Sequence, residues 1–161
     1  MTPPAHTETV QTLNIHKEIQ IAAPLETTFS AMLEGISSGN AMPDGTPYPF
    51  KLEAWPGGRW FRDLGNNAGH LWGHVQVIKP PTLLEISGPL MMSYPACNFV
   101  QYRLAAEGTG TRLTLVHRGM GLITPEHREG LTKGWDHWLQ VTERFALQRA
   151  KTKPRAAAMA R

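Results

Sequence analysis

Seven histidines, one cysteine and a glycine pair are where chemistry would have to start in this chain. His70, Trp72 and His74 alternate along a segment that reads as a strand, so their parity places them on one sheet face. Histidines four residues apart on a strand stand roughly 13 Å apart, too far for both to bind one zinc ion at about 2 Å. No metal site is expected there, and both are read as solvent-side or packing residues. His117 shares the parity of Leu113 and Leu115, which turns it toward the apolar side of its strand. An imidazole at that depth could hydrogen-bond a ligand or act as a general base. The plainer reading is a rim histidine bonded to backbone or water. Tyr102 and Arg103 on the neighbouring strand have opposite parities, so at most one of them faces inward with it. Cys97, as the single cysteine, excludes an internal disulfide and a thiolate cluster. With no histidine near it by spacing, it reads as a buried, inert thiol. No catalytic constellation is forced by spacing, and no cofactor is expected.

The glycine pair lies in 53-EAWPGGRWFRDLG-65. A phosphate-binding loop needs a Lys-Ser/Thr after its glycines and a helix whose N-terminal amides meet the phosphate. Here Gly58 is followed by Arg59, Trp60 and Phe61, which suit a strand. Pro56-Gly57-Gly58 is therefore a corner between two strands: proline presets one dihedral and glycine accepts the positive φ that follows.

The elements that must position these residues follow from periodicity. At 161 residues, 41% hydrophobic and 18% charged, the chain suits one folded domain. Its charge of +3 is local: Lys151, Lys153, Arg155 and Arg161 crowd the C-terminal end, where Asp and Glu are absent. That is not the spread basic face of a nucleic-acid binder. No apolar run approaches a membrane span or a secretory signal, so a cytoplasmic setting without membrane insertion is expected.

Residues 1–12 read as a loose leader. Leu13 to Ile21 alternate as a half-buried strand, interrupted by Lys17. A short amphipathic helix follows over 22–33, starting near Pro24, with Leu25, Phe29, Met32 and Leu33 on one face. Residues 35–47, rich in glycine, proline, serine and asparagine, read as a connection. Strands are predicted at Tyr48–Ala54, Arg59–Leu64, His70–Ile78, Leu83–Ser87, Cys97–Ala105 and Thr111–Arg118. Between the last-but-two and last-but-one, 88-GPLMMSYPA-96 forms an irregular bend. Thr124 is a candidate N-cap for a long helix from Pro125, with Leu131, Trp135, Trp138, Leu139, Thr142, Phe145 and Ala146 on one stripe. That helix is expected to fade near Ala150, leaving 151–161 as a disordered basic and alanine-rich tail. Helices at the ends of an antiparallel run indicate an α+β fold, its sheet of about seven strands covered by the long helix.

Several phrases in this order resemble the START-like superfamily (also called SRPBCC, or birch-pollen-allergen-like). They are the "PGGRW" corner, then Gly73, Val75, Ile78, Pro80, Pro81 and Leu84 in 69-GHLWGHVQVIKPPTLLEIS-87, the return 109-TGTRLTLVHRGM-120, and 134-GWDHWLQ-140. They are most similar to the branch named after the activator of the heat-shock-ninety chaperone's ATPase. The resemblance covers about Leu13 to Ala150. It implies a helix-grip fold: a curved antiparallel sheet wrapped around the C-terminal helix, with a cavity between them. The leading expectation is a non-enzymatic domain that binds a small hydrophobic or amphipathic ligand. The cavity-lining candidates are Phe50, Trp60, Trp72, Met91, Phe99, Leu115, His117, Trp135 and Trp138. Two alternatives stay open: a cyclase- or dehydratase-type enzyme with His117 as base, and a chaperone-modulating interaction module in a stress response. A homodimer through an exposed strand or helix face is compatible with the sequence.

Overall fold

The computed structural model describes residues 8–158, with side chains as far as Thr152. Seven strands form one sheet: β1 (Gln11–Ile21), β2 (Lys51–Leu52), β3 (Arg59–Gly65), β4 (Ala68–Lys79), β5 (Leu83–Gly88), β6 (Ala96–Glu107) and β7 (Gly110–Gly121). Helix α1 (Leu25–Gly35) follows β1, and α2 (Pro125–Ala158) ends the chain. The order across the sheet is β1-β7-β6-β5-β4-β3-β2, antiparallel throughout. Only the β1–β7 pairing is non-sequential, and it ties the start of the domain to its last strand. The sheet is curved and α2 covers its inner face, which is the α+β helix-grip architecture that the motifs imply.

Alternation decides that inner face. Leu13, Ile15 and Ile21 from β1, Val100, Tyr102 and Leu104 from β6, and Leu113 and Leu115 from β7 are all buried. Leu131, Trp135, Leu139, Thr142 and Ala146 are the buried stripe of α2. Lys17, which breaks the alternation of β1, reaches across to α2 and pairs with Asp136 at 2.8 Å. Glu34 of α1 pairs with Arg149, giving α2 a second strap.

The Pro-Gly-Gly corner is a tight turn. Gly58 N–H donates to Trp55 C=O at 2.8 Å, and Gly57 has φ of 86°. A Cβ on Gly58 would stand 1.9 Å from the carbonyl oxygen of Glu53, so no other residue fits. Glu53 takes the guanidinium fork of Arg59 at 2.7 and 2.9 Å, which holds its carboxyl down to about 2. Thr124 caps α2 as expected, its Oγ1 accepting from His127 N–H at 3.2 Å. Thr124→Ala is expected to lower stability by about 1 kcal/mol, read as a shift in the urea midpoint that Thr124→Ser largely restores.

Several boundaries differ from the sequence reading. The strand predicted over 48–54 shrinks to Lys51–Leu52. Pro47 and Pro49 lack amide donors, and the N–H groups of Tyr48 and Phe50 go instead to the carbonyls of Asn40 and Ser37. β1 begins at Gln11, inside the expected leader, because Gln11 and Thr12 still have partners on β7. Residues 1–7 of that leader lie outside the described residues. α2 continues past Pro154 to Ala158, beyond the expected fade near Ala150. The alanines at 156–158 are the strongest helix formers. Of the expected tail, 159–161 lie outside the described residues.

Candidate functional site

The aromatic residues gather at one end of the sheet. Phe50 packs against Trp60 and Trp72 at ring-centroid distances of 5.4 and 4.6 Å. Trp60 lies 5.3 Å from Trp72 and 5.4 Å from Trp138, and Trp138 lies 5.3 Å from Trp135. The planes of Trp72 and Trp138 are within 19° of parallel. Trp60 also donates its indole N–H to the Ile36 carbonyl at 2.7 Å, fixing the C-terminus of α1. This cluster fills much of the space beneath α2 that the resemblance assigns to a cavity.

The open space lies beside it. A pocket of about 450 Å³ is set into the flank of α2, between the 130–138 segment, the 40–48 loop and Met91. Trp72 is the contribution of the sheet, and Trp135 and Trp138 are those of the helix stripe. Met42 and Met91 are 44% and 38% exposed and stand at its mouth. Two polar neighbours hold the wall to itself. Asn40 donates from Nδ2 to the Tyr48 carbonyl at 2.8 Å, and His137 Nε2 donates to the Ala41 carbonyl at 2.7 Å. Lys133 pairs with Glu129 at 2.8 Å. A larger depression of about 820 Å³ runs between residues 8–11 and the start of α2, but it is a shallow trough edged by Glu8, Arg128 and Glu129.

Of the nine candidate lining residues, the structure brings Trp72, Met91, Trp135 and Trp138 to this pocket. Phe50 and Trp60 stand behind them in the aromatic cluster. Leu115 and His117 are fully buried in the core, away from the pocket wall. Phe99 is a correction: it has the parity of Cys97 and Arg103, while Asn98, Val100, Tyr102 and Leu104 are the buried set of β6. The buried asparagine disguised the true face. By the same parity Cys97 is exposed, contrary to the buried thiol expected. Trp55, at the glycine corner, is 58% exposed and fills no interior space.

His70, Trp72 and His74 do not share a face either. The register between β3 and β4 slips at Trp60/Phe61, opposite Gly73 and Leu71, and the extra residue is Trp72. The bulge turns Trp72 inward among the rings while both histidines stay exposed. Among the described residues no cluster of three or more His, Cys, Asp or Glu could hold a metal ion.

His117 is neither at the rim nor free. It is fully buried, its Nδ1 accepts from the Trp135 indole N–H at 3.0 Å, and its Nε2 meets Asn98 Oδ1 at 2.8 Å. An indole nitrogen only donates, so Nδ1 carries no proton and Nε2 holds it for the Asn98 oxygen. Asn98 Nδ2 in turn reaches the Pro89 carbonyl and Met92 Sδ at 3.3 and 3.4 Å. Burial pushes the imidazole down to about 4, so it is neutral near pH 7. With both nitrogens occupied, it has none to offer a substrate. It joins α2, β7, β6 and the 88–96 bend.

Sequence reasoning missed the 40–48 loop as a wall, taking it for a plain connection. It also missed Gly130 and Gly134. Two glycines at i, i+4 inside an amphipathic helix were a legible signal, because each costs about 1 kcal/mol of helix propensity relative to alanine.

No protein-family model matches this chain, and no curated protein matches it. Solved structures do. One is an uncharacterized protein from Rhizobium leguminosarum, 16% identical over 87% of this chain and 97% of that one, with a TM-score of 0.67. Another is Ara h 8.0201, at 12% identity over 86% and 99% of the two chains and a TM-score of 0.62. A third is the Aha1 dimer from Colwellia psychrerythraea, at 15% identity over 83% and 96% and a TM-score of 0.57. At these identities the likeness is one of fold.

Proposed function

Proceeding from the START-like helix-grip fold that these structures share with the chain, we propose that the protein binds a small apolar or amphipathic molecule and does no chemistry on it. The observation that carries this reading is the 450 Å³ pocket, walled by tryptophans and methionines, with Asn40 Nδ2 and His137 Nε2 turned to the wall's own carbonyls. Pockets of this size and character suit small organic ligands. A cytoplasmic setting belongs to the same reading, and no helix among the described residues is long and apolar enough to cross a membrane. The enzymatic alternative needs His117 as a base. Its two nitrogens are bonded to Trp135 and Asn98, so neither is free to take a proton from a substrate.

The test is a titration with an anilinonaphthalene sulfonate dye, following tryptophan emission. Saturable 1:1 binding in the micromolar range is expected, with quenching, since Trp72, Trp135 and Trp138 wall the pocket. Trp55, exposed at the far corner, serves as the control: Trp55→Phe leaves the quenching amplitude nearly unchanged. A dye that never saturates, together with an empty organic extract of the purified protein, would dispose of the proposal.

A further inference from the structure

Two independent features of the pocket describe its occupant more narrowly. The first is shape. Gly130 and Gly134 both line the pocket and, being four residues apart on α2, lie on one face about 6 Å apart. Trp138 continues the same row at the next turn. A Cβ placed on either glycine would meet nothing within 4 Å, so close packing does not account for the missing side chains. What they leave is a strip of bare helix backbone. Leu131 and Trp135 border it on the inner side, Lys133 and His137 on the outer side, and Trp138 closes its end. A strip so bounded suits a flat ring system laid against the backbone. A branched chain would need more depth.

The second feature is polar. Asn40, only 3% exposed, belongs to the facing wall. Its Nδ2 is fixed by the Tyr48 carbonyl at 2.8 Å, since the reversed amide would set two acceptors against each other. Its backbone N–H and C=O are held by Ser37 and Tyr48. The Oδ1 atom is left over: buried, with no hydrogen-bond partner. A buried acceptor without a donor weighs against the folded state. A ligand that brought a donor to this wall and displaced what covers the oxygen would remove that cost.

We propose that the pocket selects a flat, fused-ring molecule bearing a hydroxyl or N–H group, with the ring on the Gly130–Gly134 strip and the donor on Asn40 Oδ1. This rests on the binding function proposed above and deepens it. The probes are 2-naphthol, 2-methoxynaphthalene and 1-decanol, each competed against the anilinonaphthalene dye on the full chain. Naphthol is expected to bind roughly tenfold more tightly than its methyl ether, the equivalent of one hydrogen bond, and decanol more weakly than either. Gly134→Leu should fold with unchanged or raised thermal stability and lose both naphthalenes by more than tenfold. Asn40→Leu should erase the preference for naphthol over the ether. Should that variant fail to fold, the naphthol–ether comparison on the parent chain still decides the donor. Equal affinities for naphthol and its ether, decanol binding as well as naphthol, or full naphthol binding by folded Gly134→Leu would each overturn the inference. If the dye binds and the naphthalenes do not, this inference fails alone; if the dye does not bind either, the proposed function fails first.

Discussion

Trp60→Ala is expected to unfold about 4 kcal/mol more easily than the parent chain. The indole is fully buried and touches three other rings of the aromatic cluster, at 5.3 Å from Trp72 and 5.4 Å from Phe50 and Trp138. Truncating a buried tryptophan to alanine costs about 3–5 kcal/mol, because the surrounding packing closes the hole only in part. The substitution also strands the Ile36 carbonyl, which now accepts the indole N–H at 2.7 Å. Domains of this kind are stable by roughly 5–15 kcal/mol in all, so the variant would sit near the edge of folding. Urea denaturation monitored by circular dichroism gives the number, and Trp60→Phe divides it. Phenylalanine keeps a ring in the cluster and loses the hydrogen bond, for an expected loss of about 2 kcal/mol. A Trp60→Ala variant within about 1 kcal/mol of the parent would mean that the cluster is not what holds β3, α1 and α2 together.

The second large effect is with acid. His117 titrates near its ordinary value of 6.5 in the unfolded chain and near 4 in the folded one, where burial disfavours the charged imidazolium. The folded state therefore binds this proton later than the unfolded state. The stability contributed by the neutral ring is fully present above pH 6.5 and is lost as the pH falls through 4. At about 1.4 kcal/mol per pKa unit the loss amounts to roughly 3 kcal/mol. Protonation also puts a proton on Nδ1, which accepts from Trp135, so the helix contact and the charge oppose each other directly. Urea midpoints between pH 7 and 4 measure the decline. In His117→Gln the same interval should be flatter, and equal slopes for both proteins would rule out His117 as the cause.

How far the sequence led depended on whether periodicity carried the information. The seven strands, the glycine corner and the long helix were legible because each rests on local chemistry: alternation, a Pro-Gly pair with a positive φ, or a cap at Thr124. Inward parity was legible for β7, where Leu113, Leu115 and His117 are all buried. It failed on β6, where Phe99 looks like the interior residue and Asn98 is. Only the distant partners of Asn98, His117 and the Pro89 carbonyl, make its burial tolerable, and no spacing rule reveals them. It failed again at Trp72, because a one-residue bulge reverses parity without leaving a mark in the sequence. The site suffered most. Its wall comes from the 40–48 loop, whose backbone groups are satisfied by contacts within the loop and to His137, so composition alone says only that it turns.

The flank position of the pocket bears on how an occupant would come and go. Its mouth is kept by Met42 and Met91, two flexible thioethers reachable from water. Escape then requires a few side-chain rotations, while α2 stays strapped by Asp136 to Lys17 and by Arg149 to Glu34. For a molecule bound as proposed, residence time would be uncoupled from breathing of the domain, and exchange would run on the timescale of rotamers without loosening the fold.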